Sequence, residues 1–154
     1  MKISLLWVGR GKDKWSEVAC SHYVDRLPRH LGFTDKRLNP AAFSGDVGAV
    51  QGKEADQILT QLKDGDRLVA LDERGDCLSS EGLAKLIDAA AKQGTKRLVF
   101  ALGGPYGHGE GVRKRAWRTV RLSDMVLNHA VARVVLTEQL YRASTILWGG
   151  SYHH

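Results

Sequence analysis

Residues 98–107 (LVFALGGPYG) carry the pattern in this chain best suited to holding a small molecule. A short apolar run breaks abruptly at Gly103, Gly104 and Pro105, which reads as a buried strand running into a tight loop. The glycines have no side chain to keep a ligand off the main chain, and Pro105 fixes the exit. A second unusual segment, LSDMVLNH, runs from Leu122 to His129 and leads into a long apolar helix and a Tyr-His-His end. Charge is uneven too. Between Thr95 and Leu122 stand Lys96, Arg97, Arg113, Lys114, Arg115, Arg118 and Arg121 against the single acid Glu110, a local +6 that equals the net charge of the whole chain. Such a cluster attracts polyanions, nucleic acid first among them, although a solvated helix face has the same composition.

Other groups exclude chemistry rather than suggest it. Gly9-Arg10-Gly11-Lys12 follows the first strand but lacks the spacing of a phosphate loop, and the same turn lacks the third glycine of a dinucleotide fingerprint. His108, His129, His153 and His154 show no recognisable metal-ligand spacing, which argues against a metal hydrolase. Cys20 and Cys77 are far apart and form no CxxC, which fits a reduced, cytoplasmic setting. The apolar run 3–8 is too short for a signal core or a membrane span. With 154 residues, 43% of them hydrophobic and 26% charged, the chain can build one domain with a real core and needs no disulfide or metal.

The elements that must position these groups alternate. Strands are expected at 2–8, 33–38 (more polar, near an edge), 67–71, 97–102 and 120–122. Helices are expected at 14–27 with Asp13 as cap, at 51–63, from Ser79 or Ser80 to 93, at 113–117 (short and basic) and at 131–147. The stretch 39–48 reads as loop and 72–75 as a turn. Trp15, Ala19, His22 or Tyr23, and Arg26 or Leu27 recur at helical spacing on a mostly apolar face of the first helix, with His22 at the core edge. The last would bury a stripe of Ala132, Leu136, Leu140, Ala143 and Leu147. Alternating strands and helices indicate an α/β domain with a largely parallel sheet, in which ligands gather at the carboxyl ends of the strands.

Together these residues resemble the ribosomal RNA large-subunit methyltransferase H (RlmH) family of the SPOUT class. The likeness runs through nearly the whole chain. It is carried by LVALDERG at 68–75, LGGPYG at 102–107, the segment from Leu122-Ser123 to His129, RVVLTEQLYRA at 133–143 and the final YHH. The resemblance implies a SPOUT-type (alpha/beta knot) fold, its largely parallel sheet flanked by helices, with a C-terminal trefoil knot in a single domain, 1–154. It also implies a homodimer, S-adenosyl-L-methionine as methyl donor, and transfer to N3 of a pseudouridine in 23S rRNA within the assembled ribosome, with no membrane or metal involved. By the same resemblance, Leu71, Gly103, Leu122, Ser123, Asp124, Met125, Val126 and Leu127 correspond to cofactor-binding positions. His129, Arg133, Arg142, Tyr152 and His153 correspond to positions on the acceptor side, where they would surround the base and steady its developing charge. Asn128 and Ser151 stand where the family usually has proline, so each site loses a rigid turn. Arg142 also has a plain reading as the helix-surface partner of Glu138, and the final histidines one as a tag remnant. A non-catalytic RNA- or ribosome-binding module is the alternative function. It accounts for the basic cluster but not for the glycine loop.

Overall fold

The computed structural model describes residues 1–11 and 13–152. In chain order the elements are β1 (Lys2–Val8), α1 (Lys14–Val24), a 3-10 turn (Arg29–Leu31), β2 (Thr34–Leu38), α2 (Val47–Leu59), β3 (Asp66–Cys77), α3 (Ser80–Lys92), β4 (Arg97–Leu102), α4 (Glu110–Arg115), β5 (Arg118–Arg121) and α5 (His129–Trp148). The strands form one sheet in the order β2-β1-β4-β3-β5. Every neighbouring pair is parallel. The α/β architecture is the one the sequence pattern implies, and polar β2 lies at an edge as expected.

Alternation along the central strands builds two cores, one on each face. Ile3, Leu5, Trp7, Val69, Leu71, Leu98 and Phe100 pack against Leu83 and Ile87 of α3 and Leu136 and Leu140 of α5. Leu6, Val8, Leu68, Ala70, Val99 and Ala101 turn the other way, onto Ala55 and Ile58 of α2 and Val112 of α4. Because both faces are covered, the strands read as nearly continuous apolar runs. At the amino ends of β3 and β4, buried Asp66 accepts from the Arg97 guanidinium and from the Lys63 amide. Burial alone would raise the Asp66 carboxyl, but those donors outweigh it and hold it below the usual carboxylate range.

Several boundaries differ from expectation. The first helix stops at Val24, and its buried face is offset: Ser16 and Cys20 are inside, while Trp15 is 54% exposed. The offset follows from Ser16, whose hydroxyl donates to the Asp13 carbonyl and so needs no water. α2 starts four residues early, where Asp46 accepts from the Gly48 amide. α5 starts at His129 because Asn128, rather than proline, caps it through the Val131 amide at 2.9 Å. The last strand is Arg118–Arg121, not 120–122, and the basic helix ends at Arg115. The expected turn at 72–75 is strand. β3 runs on through it with a shift in register against β5 between Leu71 and Asp76.

Gly75 permits that shift. A Cβ there would stand 2.5 Å from the Val120 nitrogen and 2.6 Å from the Thr119 carbonyl carbon. Gly75→Ala should therefore cost about 1–3 kcal/mol or more, because backbone on both sides has no room to yield. Urea unfolding monitored by circular dichroism would read this as a lower midpoint. An unchanged midpoint would mean that β3 and β5 do not approach this closely.

Candidate methyl-donor cleft and its neighbouring cavity

β3 and β4 both end their tight pairing at Leu71 and Leu102. There the chain opens a cleft of about 560 Å³. Its walls include Leu71, Asp72 and Arg74 from β3, the loop 102–107, the whole run 122–127, and His129 with Ala132 from the first turn of α5. All eight sequence-predicted cofactor positions (Leu71, Gly103, Leu122, Ser123, Asp124, Met125, Val126 and Leu127) line this one cleft. Ser123 shapes its own segment, its hydroxyl accepting from the Met125 amide at 2.9 Å. Arg121 pairs with Asp124 at 3.0 Å. Met125 and Val126 are left 76% and 93% exposed.

The glycine loop is required by close packing. A Cβ on Gly103 would lie 2.9 Å from the Gly107 carbonyl carbon and 3.1 Å from His108 Nδ1. A Cβ on Gly104 would run into the Glu54 carboxylate. Gly104 also accepts from the Gly107 amide at 2.9 Å, closing the turn, and Gly107 holds a φ of +75°. Behind the turn sits buried His108, whose Nε2–H donates to the Ala101 carbonyl at 3.0 Å.

Glu54 is the residue that sequence reading missed. It is 2% exposed, and one oxygen accepts from the Ala41 amide at 3.1 Å. Its position was visible as the lone acid on the apolar stripe Val50, Ala55, Ile58 of α2. Asp72, Arg74, Pro105 and Tyr106 line the cleft although none was among the expected cofactor positions.

The expected acceptor-side residues separate into two groups. His129 borders both the cleft and a second cavity of about 350 Å³, and Arg133 borders only the second. Arg133 is 2% exposed, pairs with Glu17 at 2.7 Å and Asp35 at 2.5 Å, and lies 4.2 Å over the Trp7 ring. Burial works to lower its basicity, but the two carboxylates more than compensate and raise it. Arg142 and Tyr152 lie elsewhere, near the far end of α5. Arg142 donates to Glu138 at 2.6 Å and stacks 4.6 Å over the Tyr152 ring, so its reading as Glu138's helix partner also holds in this chain. Thirteen residues of helix separate His129 from Arg142, about 20 Å at 1.5 Å per residue. His153 and His154, like Lys12 of the first turn, lie outside the described residues. His22 is exposed, with its ring edge-on to Tyr23. Trp117 is half-buried between the guanidinium groups of Arg67 and Arg118.

Among the described residues, no three His, Cys, Asp or Glu side chains gather as metal ligands, and no helix is long and apolar enough to cross a membrane. The structure is thus a parallel α/β sheet with a ligand-sized cleft at its strands' carboxyl ends. The family model described as "Predicted SPOUT methyltransferase" matches residues 1–153. The ribosomal RNA large subunit methyltransferase H of Geobacter sp. (strain M21) is 37% identical, with 100% of this chain and 99% of the relative covered. Proteins of the same name from Geotalea daltonii and Trichlorobacter lovleyi are 36% and 38% identical, each pair covered in full. The chain belongs to the ribosomal RNA large subunit methyltransferase H family of SPOUT methyltransferases.

Burial lowers the pKa of both His108 and His129, although nearby backbone carbonyls and carboxylates pull the other way. In the unfolded chain both would titrate near the ordinary value of about 6.5. The unfolded state then takes up protons first. The stability these histidines contribute is full above that value and is lost as pH falls through it toward the lower native values. Urea midpoints measured at pH 7.5, 6.5 and 5.5 should fall in that order, and His108→Gln should flatten the slope. A slope unchanged by that substitution would remove His108 as its source.

Proposed function

We propose that this chain transfers a methyl group from S-adenosyl-L-methionine to N3 of a pseudouridine in 23S rRNA within the assembled ribosome, working as a cytoplasmic homodimer. The carrying observation is the convergence of all eight expected cofactor positions on one cleft beside His129. Its volume suits a nucleoside-sized ligand. Its lining fits too: Leu71, Leu122 and Leu127 offer apolar surface, and the tightly packed backbone at Gly103 and Gly104 lets a ligand reach main-chain groups. The single-domain reading of 1–154 and the C-terminal trefoil knot belong to the same proposal.

S-adenosyl-L-methionine supplies an electrophilic methyl on sulfur for in-line displacement, so the protein's work is chiefly positioning. Leu71, Gly103 and the run 122–127 hold the donor. The acceptor N3 carries a proton that must leave. His129, kept neutral by burial, has an imidazole nitrogen able to receive it. Tyr152 cannot share that role. Partial burial and then hydrogen bonds with Tyr23 and Glu138 push its hydroxyl up to about 12, so it remains a neutral donor. Arg142, held cationic by Glu138, steadies negative charge on the acceptor. The family resemblance alone assigns His153 to this group. About 20 Å of helix between His129 and Arg142 calls for a second copy, whose Arg142 and Tyr152 approach the cleft of the first. Exposed Met125 and Val126 beside the cleft, and the half-buried valines 134 and 135 of α5, offer apolar surface for that contact.

Two measurements test the reading. Ribosomes from a strain lacking the endogenous enzyme, incubated with radiolabelled S-adenosyl-L-methionine, should take up label at a single modified uridine, while free rRNA and separated subunits should not. Donor binding without label on any of the three would point to a different acceptor, whereas failure to bind the donor would favour the RNA-binding module. Arg142→Ala should cut turnover at least a hundredfold and leave donor affinity within about twofold, since a lost transition-state contact acts on rate rather than on donor binding. Equal losses in both would take Arg142 out of the acceptor site.

A further inference from the structure

The second cavity is not needed to hold the donor, yet it is a built site. It shares Pro105, Tyr106 and His129 with the donor cleft, so the two spaces are neighbours across the first turn of α5. Trp7 and Val8 enter it from the end of β1, Glu54 from α2, and Phe43 from the loop after β2. Phe43 and Tyr106 are 60% and 43% exposed, with ring centroids 6.0 Å apart and planes inclined by 34°. Tyr106 is held from behind, where its carbonyl accepts from Gln51 Nε2 at 2.6 Å.

The lining also carries unspent polar capacity. Glu54 Oε2 and Arg133 Nε are buried and have no hydrogen-bond partner among the described residues, whereas the His129 ring is held by the backbone of Val8 and Gly104. Glu54 and Arg133 are each 98% buried overall, since each is 2% exposed. Buried polar atoms normally find partners, so two orphans on the lining of one cavity point to a ligand that supplies them. Aromatic faces combined with polar edges suit a flat heterocycle that both stacks and hydrogen-bonds. A lipid tail or an apolar peptide side chain would leave the polar atoms unanswered. Exposed Arg10 on the same lining adds a cation suited to phosphate.

We propose that this cavity binds one unstacked base of the RNA strand, the neighbour of the acceptor nucleotide, with Phe43 and Tyr106 as its stacking surface. This rests on the reading of the donor cleft above. Single-stranded RNA is commonly held by bases splayed onto aromatic side chains, and each base contributes on its own. A neighbouring base in this cavity places the next nucleotide on the donor side of His129. The site therefore selects by strand conformation around the acceptor as well as by the acceptor itself.

Phe43 is the residue to change, because it borders the second cavity and not the donor cleft. Phe43→Ala, Phe43→Trp and the wild type would be compared in methyl transfer to ribosomes from a strain lacking the endogenous enzyme, alongside donor binding by calorimetry and mass by sedimentation. Phe43→Ala should raise KM for ribosomes about tenfold, with kcat, donor affinity and mass held within twofold, and Phe43→Trp should stay near the wild type. Normal KM for Phe43→Ala, in an assay where the wild type transfers methyl, would overturn this inference and leave the donor-cleft reading standing. A loss of dimer mass in Phe43→Ala that accounts for the lost activity would overturn it differently, giving the cavity to a second copy of the chain. Absence of transfer by the wild type would take down both readings together.

Discussion

Every neighbouring pair of strands in this sheet is parallel, and that constraint decides where chemistry can occur. A parallel connection must cross over a face, so all strands finish at the same edge. The helices cover both faces and leave that edge as the place where loops meet. The pairings of β4 with β1 and with β3 end side by side at Leu102, opposite Trp7 and Leu71. The donor cleft lies beyond β3 and β4, and the second cavity lies beyond β1. The two are neighbours because β1 and β4 are.

Within that edge the glycine loop is shaped by Glu54 more than by its own turn. A carboxylate buried under Gly104 leaves no room for a Cβ, and the same carboxylate ties down the loop at Ala41. One buried acid on α2 thus fixes the loop after β4 and the loop after β2, which face each other as Tyr106 and Phe43. Burying a carboxylate is costly unless it is hydrogen-bonded. A single strong partner at Ala41 is a modest return for that cost, which fits a residue retained for the shape of the site rather than for stability.

Much of this was legible in the sequence because period and composition are local. The strands at 2–8 and 97–102, the cap at Ser79 and the glycine loop all follow from short windows, whereas Asp13 stands at the start of α1 without a side-chain capping bond. What failed was non-local. Residues 72–75 look like a turn by composition, yet pairing with β5 keeps them extended, with Gly75 absorbing the register shift. Trp15 looks like core by hydrophobicity, but Ser16 and Cys20 face α5, where Thr137 is buried as well. Glu54 was passed over because an acid on an apolar stripe has no local explanation. Its hydrogen-bond donor at Ala41 and the glycine packed against it at Gly104 lie 13 and 50 residues away. The cofactor positions were reachable only through resemblance, since apolar side chains and main chain leave no distinctive motif.

α5 joins the two halves of the proposed site, and its ends are built differently. The first turn carries His129, and one turn on Arg133 is locked to α1 through Glu17 and to β2 through Asp35, which also accepts from Trp7 Nε1 at 2.6 Å. Arg133 itself is buried while both carboxylates are partly exposed, so removing either one leaves a buried cation short of a partner, and this end of the helix is the more firmly anchored. The other end carries Arg142 and Tyr152, whose contacts with Glu138 and Tyr141 lie nearer the surface and are open to exchange. Donor geometry in methyl transfer must be fixed before the acceptor arrives, whereas acceptor contacts form only when RNA is present. A rigid beginning and an exchangeable end on one helix meet both demands, provided that each end serves a different copy's site.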